Sequence, residues 1–246
     1  MFYMFWAFPF AIVAILINVV VGAIPALILR ALRLGKAADR WVFFHNTFLS
    51  DFLLFLLNVH PRVGGNIEEL RKLRRQGKAI CYIANHTSMT DILLIDGTLA
   101  LESGFICKSS LSYVFPVNLI CIASNCVFIS RKSLKQSARA IKKGVEKIKN
   151  GSPMAIFPEG TRSKTGEIAP FKHGSFKLAL LSNAYIVPIT IKGARVSLED
   201  RKKLFTRTDC HIVVGNPVPT EGLSRNDANE VEQRIEQEIK KTYASL

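Results

Sequence analysis

Hydrophobic positions fall along this chain in two regimes. From Phe2 to Leu29, "FYMFWAFPFAIVAILINVVVGAIPALIL", no charged residue interrupts the run. It exceeds the roughly 20 apolar residues a helix needs to cross a bilayer core. A secretory signal carries its basic residues before a short apolar region; here Arg30, Arg33, Lys36 and Arg40 come after it. Pro9 and Pro25 fit a membrane helix, where freed backbone groups find other partners. The basic stretch predicts a cytoplasmic loop by the positive-inside rule. A second apolar segment, 41–59, carries His45, Asn46, Ser50 and Asp51. An Asp at mid-bilayer costs about 2.5–3.5 kcal/mol, so this segment is expected to lie in the interface or to form half of a shallow hairpin.

Beyond Pro61 short apolar runs alternate with longer amphipathic ones. Strands are predicted at 79–84, 104–108, 126–130, 154–158, 185–191 and 210–215. The clearest helix is 133–149, with Leu134, Ala138, Ile141, Val145 and Ile148 on one stripe. A last helix starts at Ser224, with Asp227 completing a capping box and Ala228, Val231, Ile235 and Ile239 as its docking face. The pattern predicts two parts: membrane-anchoring helices over 1–60, and over 61–246 an α/β domain with a largely buried mixed sheet flanked by helices.

The net charge of +14, from 33 basic and 19 acidic residues, favours anionic partners: nucleic acid, acidic lipid surfaces or phosphorylated substrates. The five cysteines (Cys81, Cys107, Cys121, Cys126, Cys210) form no C-x-x-C pair and have no zinc spacing, so reduced structural thiols and no metal site are expected.

Two polar clusters follow predicted buried strands. In "NHTSMTD" (85–91), His86 and Asp91 can meet only if the chain turns between them. The carboxylate would then hold one ring nitrogen and leave the other to take a proton. Alone, that spacing is common by chance and reads first as a capping His and an Asp at a helix N-terminus, with no chemistry. The second cluster, in "MAIFPEGTRS" (154–163), presents Glu159, Gly160, Thr161, Arg162 and Ser163, a loop with a guanidinium fork suited to phosphate. Its simpler reading is a surface loop with a Glu–Arg pair, but open α/β sheets bind ligands where two such strand ends meet. Lys172 and His173 follow closely and read as a solvated face. No G-x-S-x-G elbow and no Walker-type glycine loop is present. A base without a protein nucleophile fits activation of a substrate hydroxyl for attack on a carbonyl or phosphoryl group.

These motifs resemble those of the lysophospholipid acyltransferase family, in particular its bacterial-type lysophosphatidic acid (1-acylglycerol-3-phosphate) acyltransferases. "NHTSMTD" matches the family's N-H-x-x-x-x-D signature and "FPEGTRS" its second hallmark. Between them "NCVFISR" resembles the G-x-I-F-I-D-R block, keeping Arg131 but with Asn125 for the Gly and Ser130 for the Asp. "AYIVPITIKG" is similar to the fourth block, including Pro188, and "ICKSSLSYVFPVNLI" to the segment whose lysine, here Lys108, lies near the acyl pocket. The likeness covers roughly residues 60–220. It implies a glycerolipid-acyltransferase-like domain in which His86 is the general base and Asp91 orients it. Glu159, Gly160, Thr161 and Arg162 would bind the acceptor, Arg162 on its phosphate, with Arg131 adding charge and Lys108 near the acyl chain. No cofactor is implied; acyl-CoA or acyl carrier protein enters as donor substrate, and lysophosphatidate and membrane lipids are the other partners. The site would face the cytoplasm at the cell membrane.

Two alternatives remain at this point. One is acylation of glycerol 3-phosphate or another lysophospholipid. The other is a membrane-tethered nucleic-acid binder, against which helix 133–149 has a regular apolar stripe and no aromatics for base stacking.

Overall fold

The computed structural model describes residues 2–130, 133–201 and 207–246, with the backbone alone for residues 2–7. The apolar N-terminal run is helical throughout. Helix α1 (Phe2–Asn18) passes through a π turn, Val19–Ala23, into α2 (Ile24–Ala31). Phe8–Ala31, with mean hydropathy 2.8, is long and apolar enough to cross a membrane; its 24 residues rise about 36 Å as a helix. The chain then reverses, with Arg33 at positive φ, into α3 (Gly35–Leu56). Ala23, Ala26, Ala38 and Val42 are fully or nearly fully buried where α2 and α3 meet, small side chains that let the backbones approach.

Helix α3 makes a hairpin with the first helix and also packs on the rest of the chain. Its Leu54 shares a core with Val59, Ile80 and Tyr82. Residue 60, where the two parts were expected to divide, lies inside strand β1 (Val59–Gly65). Hydropathy marks the end of the apolar run, whereas packing carries α3 into the sheet's own core.

The sheet has seven strands, in the order β1-β7-β6-β2-β5-β3-β4: β1, β2 (Ile80–Ala84), β3 (Gly104–Lys108), β4 (Val127–Ile129), β5 (Met154–Ile156), β6 (Tyr185–Lys192) and β7 (Thr208–Val214). All neighbours are parallel except β6 and β7. Six strands stand where the apolar runs predict them. The seventh, β1, reads "VHPRVGG", with no apolar alternation to announce it; it is an edge strand, where Pro61 is tolerated. The remaining α-helices among the described residues are α4 (Ile67–Arg75), α5 (Thr90–Leu93), α6 (Val117–Ala123), α7 (Leu134–Lys149), α8 (His173–Leu180) and α9 (Arg225–Ser245). Strand alternation splits the core in two. Ile80, Tyr82 and Ala84 of β2 face one cluster, while Cys81 and Ile83 face the other, which α7, α8 and α9 cover. Ser133 caps α7, and Ser224 with Asp227 forms the capping box of α9.

The Asn at 125, where the resembling block has Gly, has a local reason. Its φ is +60°, a left-handed conformation that Asn tolerates better than other side chains. Its amide donates to Asp39 Oδ1 at 2.9 Å and its carbonyl accepts from Lys147 Nζ at 2.9 Å, linking α3 to α7. Asn125→Ala keeps the strain and loses both bonds. It is expected to destabilise the fold by about 2 kcal/mol, read as a lower midpoint in denaturant.

Candidate active site

Parallel pairing of β2 with β5 sets Ile83 opposite Ile156, so the two polar clusters leave the sheet side by side. Backbone bonds then tie them together. The His86 N–H donates to Glu159 Oε1 at 2.6 Å, and the Ser163 N–H donates to the His86 carbonyl at 2.8 Å. Asn85, fully buried, exchanges two hydrogen bonds with the backbone of Ile191 in β6, each 2.8 Å. The loop is thereby pinned to the neighbours on both sides of β2.

Between the pins the chain turns as the His–Asp spacing requires. Asp91, in the first turn of α5, is fully buried. Its Oδ2 accepts from His86 Nδ1 at 2.9 Å, the Thr87 N–H at 2.7 Å and the Ser88 N–H at 2.8 Å. Its Oδ1 is buried with no hydrogen-bond partner among the described residues. Burial pushes the Asp91 carboxyl above its ordinary range, against the pull of those three donors. The imidazole stacks on Phe157 at 4.0 Å and 14°, and Phe157 lies nearly parallel to Phe105, 6.2 Å away. Nδ1 held by a carboxylate and a ring stacked on one fixed face leave Nε2 as the nitrogen able to accept a proton.

Glu159 is buried, with both oxygens on backbone donors: Oε1 on His86 and Oε2 on the Ala169 N–H at 2.9 Å. Burial raises its pKa too, with those two N–H groups opposing. It braces the loop from within. Gly160 stands at φ +74°, a left-handed conformation that L side chains rarely adopt, so the turn favours glycine. Thr161 is exposed. Arg162, whose side chain is 44 % exposed, donates from Nη1 to Glu199 Oε1 at 2.8 Å. His173 pairs with Glu232 at 2.6 Å.

Glu199 and Arg195 belong to the site although neither sits in a recognisable motif. Glu199 also accepts from Ser88 Oγ at 2.6 Å and the Met89 N–H at 3.0 Å, so it couples the "NHTSMTD" loop to Arg162. Burial pushes its pKa up, but bonds from Ser88, Met89 and Arg162 outweigh that and hold it below its usual value. Arg195 grips Asp200 through two bonds and donates to the Ser163 carbonyl. Tyr243, at the far end of the chain, donates to the Gly166 carbonyl at 2.8 Å. Both arrive through tertiary folding alone; Arg195 follows the fourth block directly, and that position was the one signal in the sequence.

An apolar cavity of about 640 Å³ opens beside this site. Phe8, Ala11 and Ile15 of α1 form one side, Leu49 and Leu53 of α3 another, and Met89 and Phe105 link it to the His86 loop. Lys108 is not among the lining residues: strand alternation that turns Cys107 into the cavity wall turns its neighbour away, and Lys108 is exposed. Arg131 lies outside the described residues. The five cysteines are free, yet Cys107, Cys121 and Cys126 converge in the cavity wall, which their wide spacing in the sequence conceals.

A family model described as Acyltransferase matches residues 65–192. Among similar proteins is "Probable 1-acyl-sn-glycerol-3-phosphate acyltransferase" of Mycoplasma pneumoniae, 30% identical over 179 residues, 68% of this chain and 67% of that protein. The 1-acyl-sn-glycerol-3-phosphate acyltransferase of Saccharomyces cerevisiae is 29% identical over 69% of this chain and 57% of its own length. The human alpha protein of that name is 27% identical over 78% of each chain. In fold, the chain is similar to the crystal structure of the 1-acyl-sn-glycerophosphate (LPA) acyltransferase PlsC from Thermotoga maritima. The TM-score is 0.73, at 23% identity, over 96% of this chain and 94% of that one.

Proposed function

Because the chain belongs to the Acyltransferase family, we propose that it acylates the free hydroxyl of 1-acylglycerol 3-phosphate, taking the acyl group from acyl-CoA or acyl carrier protein and releasing phosphatidate. One observation carries this reading: a His86 Nδ1–Asp91 Oδ2 pair 2.9 Å apart, on a loop whose Met89 forms the wall of an apolar cavity. His86 Nε2 takes the hydroxyl proton as the oxygen attacks the thioester carbonyl carbon. Asp91 holds the imidazolium that results. Collapse of the tetrahedral intermediate breaks the C–S bond, and Nε2–H returns the proton to the leaving thiolate. The cavity takes an acyl chain, and burying it there recovers about 0.8 kcal/mol per CH₂ relative to water.

The cavity lies between α1 and the α/β domain, so an acyl chain enters it along the membrane helix. Tyr113, Val114 and Phe115, 88 %, 46 % and 70 % exposed, sit in the segment leading to α6, which packs near the same helices. These features support a site at headgroup level in a membrane, on the side where the basic turn after Leu29 resides, the cytoplasmic one. The test is the purified protein in lipid nanodiscs, given labelled thioesters and a panel of acceptors, with products separated by lipid chromatography. Phosphatidate formed from lysophosphatidate is the expected main product. Faster turnover of glycerol 3-phosphate or of a headgroup-bearing lysophospholipid would overturn the acceptor assignment.

Arg162 is assigned to the acceptor phosphate, presented by its bond to Glu199. Arg162→Lys keeps the charge and loses the planar fork. KM for lysophosphatidate is expected to rise about tenfold, one lost charge-assisted bond, with KM for the thioester unchanged. A rise confined to the thioester would move the "EGTR" loop to the donor side.

A further inference from the structure

We infer that Cys107, Cys121 and Cys126 form a site for one thiophilic divalent cation of the zinc class, built into the wall of the apolar cavity. Their Sγ atoms all lie within 4.8 Å of one another. Three sulfurs at the usual Zn–S length of about 2.3 Å stand roughly 3.8–4.0 Å apart, so each pair has to close by about 1 Å or less. The three come from separate pieces of the fold. Cys107 is on β3, Cys121 is on α6, and Cys126 immediately precedes β4. Parallel pairing of β3 with β4, Ile106 against Val127, brings the first and last together, and α6 lays Cys121 over them. The Phe105 N–H donates to Cys126 Sγ at 3.3 Å, the kind of outer bond that favours a thiolate and orients a ligand. Cys81 and Cys210, by contrast, are fully buried and lie outside this cluster.

All three residues line the cavity, which offers an ion a route to them from outside the core. Binding is a coordination step with no change of oxidation state: each thiol that ligates gives up its proton to solvent, and the cation stays divalent. The fourth tetrahedral position is left to water or to an oxygen donor from the cavity. The cation would pin α6 to the β3–β4 edge and narrow the cavity there. This site does not depend on the reaction proposed above, since its assay reads binding and not turnover.

The full chain in detergent, purified under reducing conditions without chelator, is titrated with Zn²⁺ against a chromophoric chelator, and with Cd²⁺ followed by its thiolate charge-transfer absorption. One equivalent per chain is expected, with an unfolding temperature that rises on binding. Cys121→Ser and Cys126→Ser are each expected to weaken binding at least tenfold and abolish that rise, while Cys210→Ala leaves both unchanged. A measurement without variants runs alongside: Zn²⁺ should slow alkylation of Cys121 in the unaltered protein. Absence of the charge-transfer band, unslowed alkylation, undiminished binding in both serine variants, or two of the three thiols recovered as a disulfide would each overturn the site.

Discussion

His86→Ala is expected to lower kcat by about 10² to 10⁴, the range a positioned general base supplies, while the protein stays folded and bound to lipid. The fold survives because the structural work at this position is done by the backbone. The N–H to Glu159 and the carbonyl accepting from Ser163 are both kept by alanine. What is lost is the ring, its stacking on Phe157 and the imidazole paired with Asp91. Turnover is measured at saturating acceptor and donor, with unfolding temperature and vesicle binding as controls. Turnover within a few-fold of the unaltered enzyme would remove His86 from the chemistry. Equal losses of activity and of folded protein would make it a packing residue.

Asp91→Asn separates charge from geometry. Three donors converge on Oδ2, and two of them are backbone N–H groups that cannot turn away. The amide oxygen is therefore held in the place of Oδ2 and still accepts from Nδ1–H, so the ring keeps its tautomer. Only the negative charge facing the imidazolium is lost. A hydrogen bond to a charged group is worth about 1.5–3 kcal/mol, which puts the expected loss in kcat at about 10- to 100-fold. Stability should move the other way. Burial raises the Asp91 pKa, so between its unfolded and folded values the native state binds the extra proton, and stability falls as pH rises through that window. Above it the full cost of the buried charge is present. The neutral asparagine escapes that cost and is expected to unfold at or above the temperature of the unaltered protein at pH values above the window. Asp91→Ala, which strands the Thr87 and Ser88 N–H groups, should lose both activity and stability. An Asn variant that is fully active, or one that unfolds well below the parent, would show Asp91 to be a cap alone.

Much of this molecule is local and hence legible along the chain. An uncharged run from Phe2 to Leu29 can only be a long apolar helix. Buried strands such as Ile80–Ala84 announce themselves as short apolar runs, and the caps at Ser133 and Ser224 act within one turn of their helices. The pairing of "NHTSMTD" with "FPEGTRS" was readable because each follows directly from such a strand. The rest depends on register and packing, which no local pattern encodes. Edge strand β1 has no apolar alternation because neither of its faces is buried beyond Val59. Glu159 looks like a ligand-facing carboxylate until its burial under two backbone N–H groups is seen. Glu199, Arg195 and Tyr243 reach the site from distant segments, and Lys108 turns from the cavity because its neighbour turns in. The three thiols meet only once β3 has paired with β4 and α6 has closed over them. Propensity and hydrophobic period act over a few residues, so they determine elements and motifs. The relative placement of those elements is set by which faces bury together, and that decided the geometry of the site.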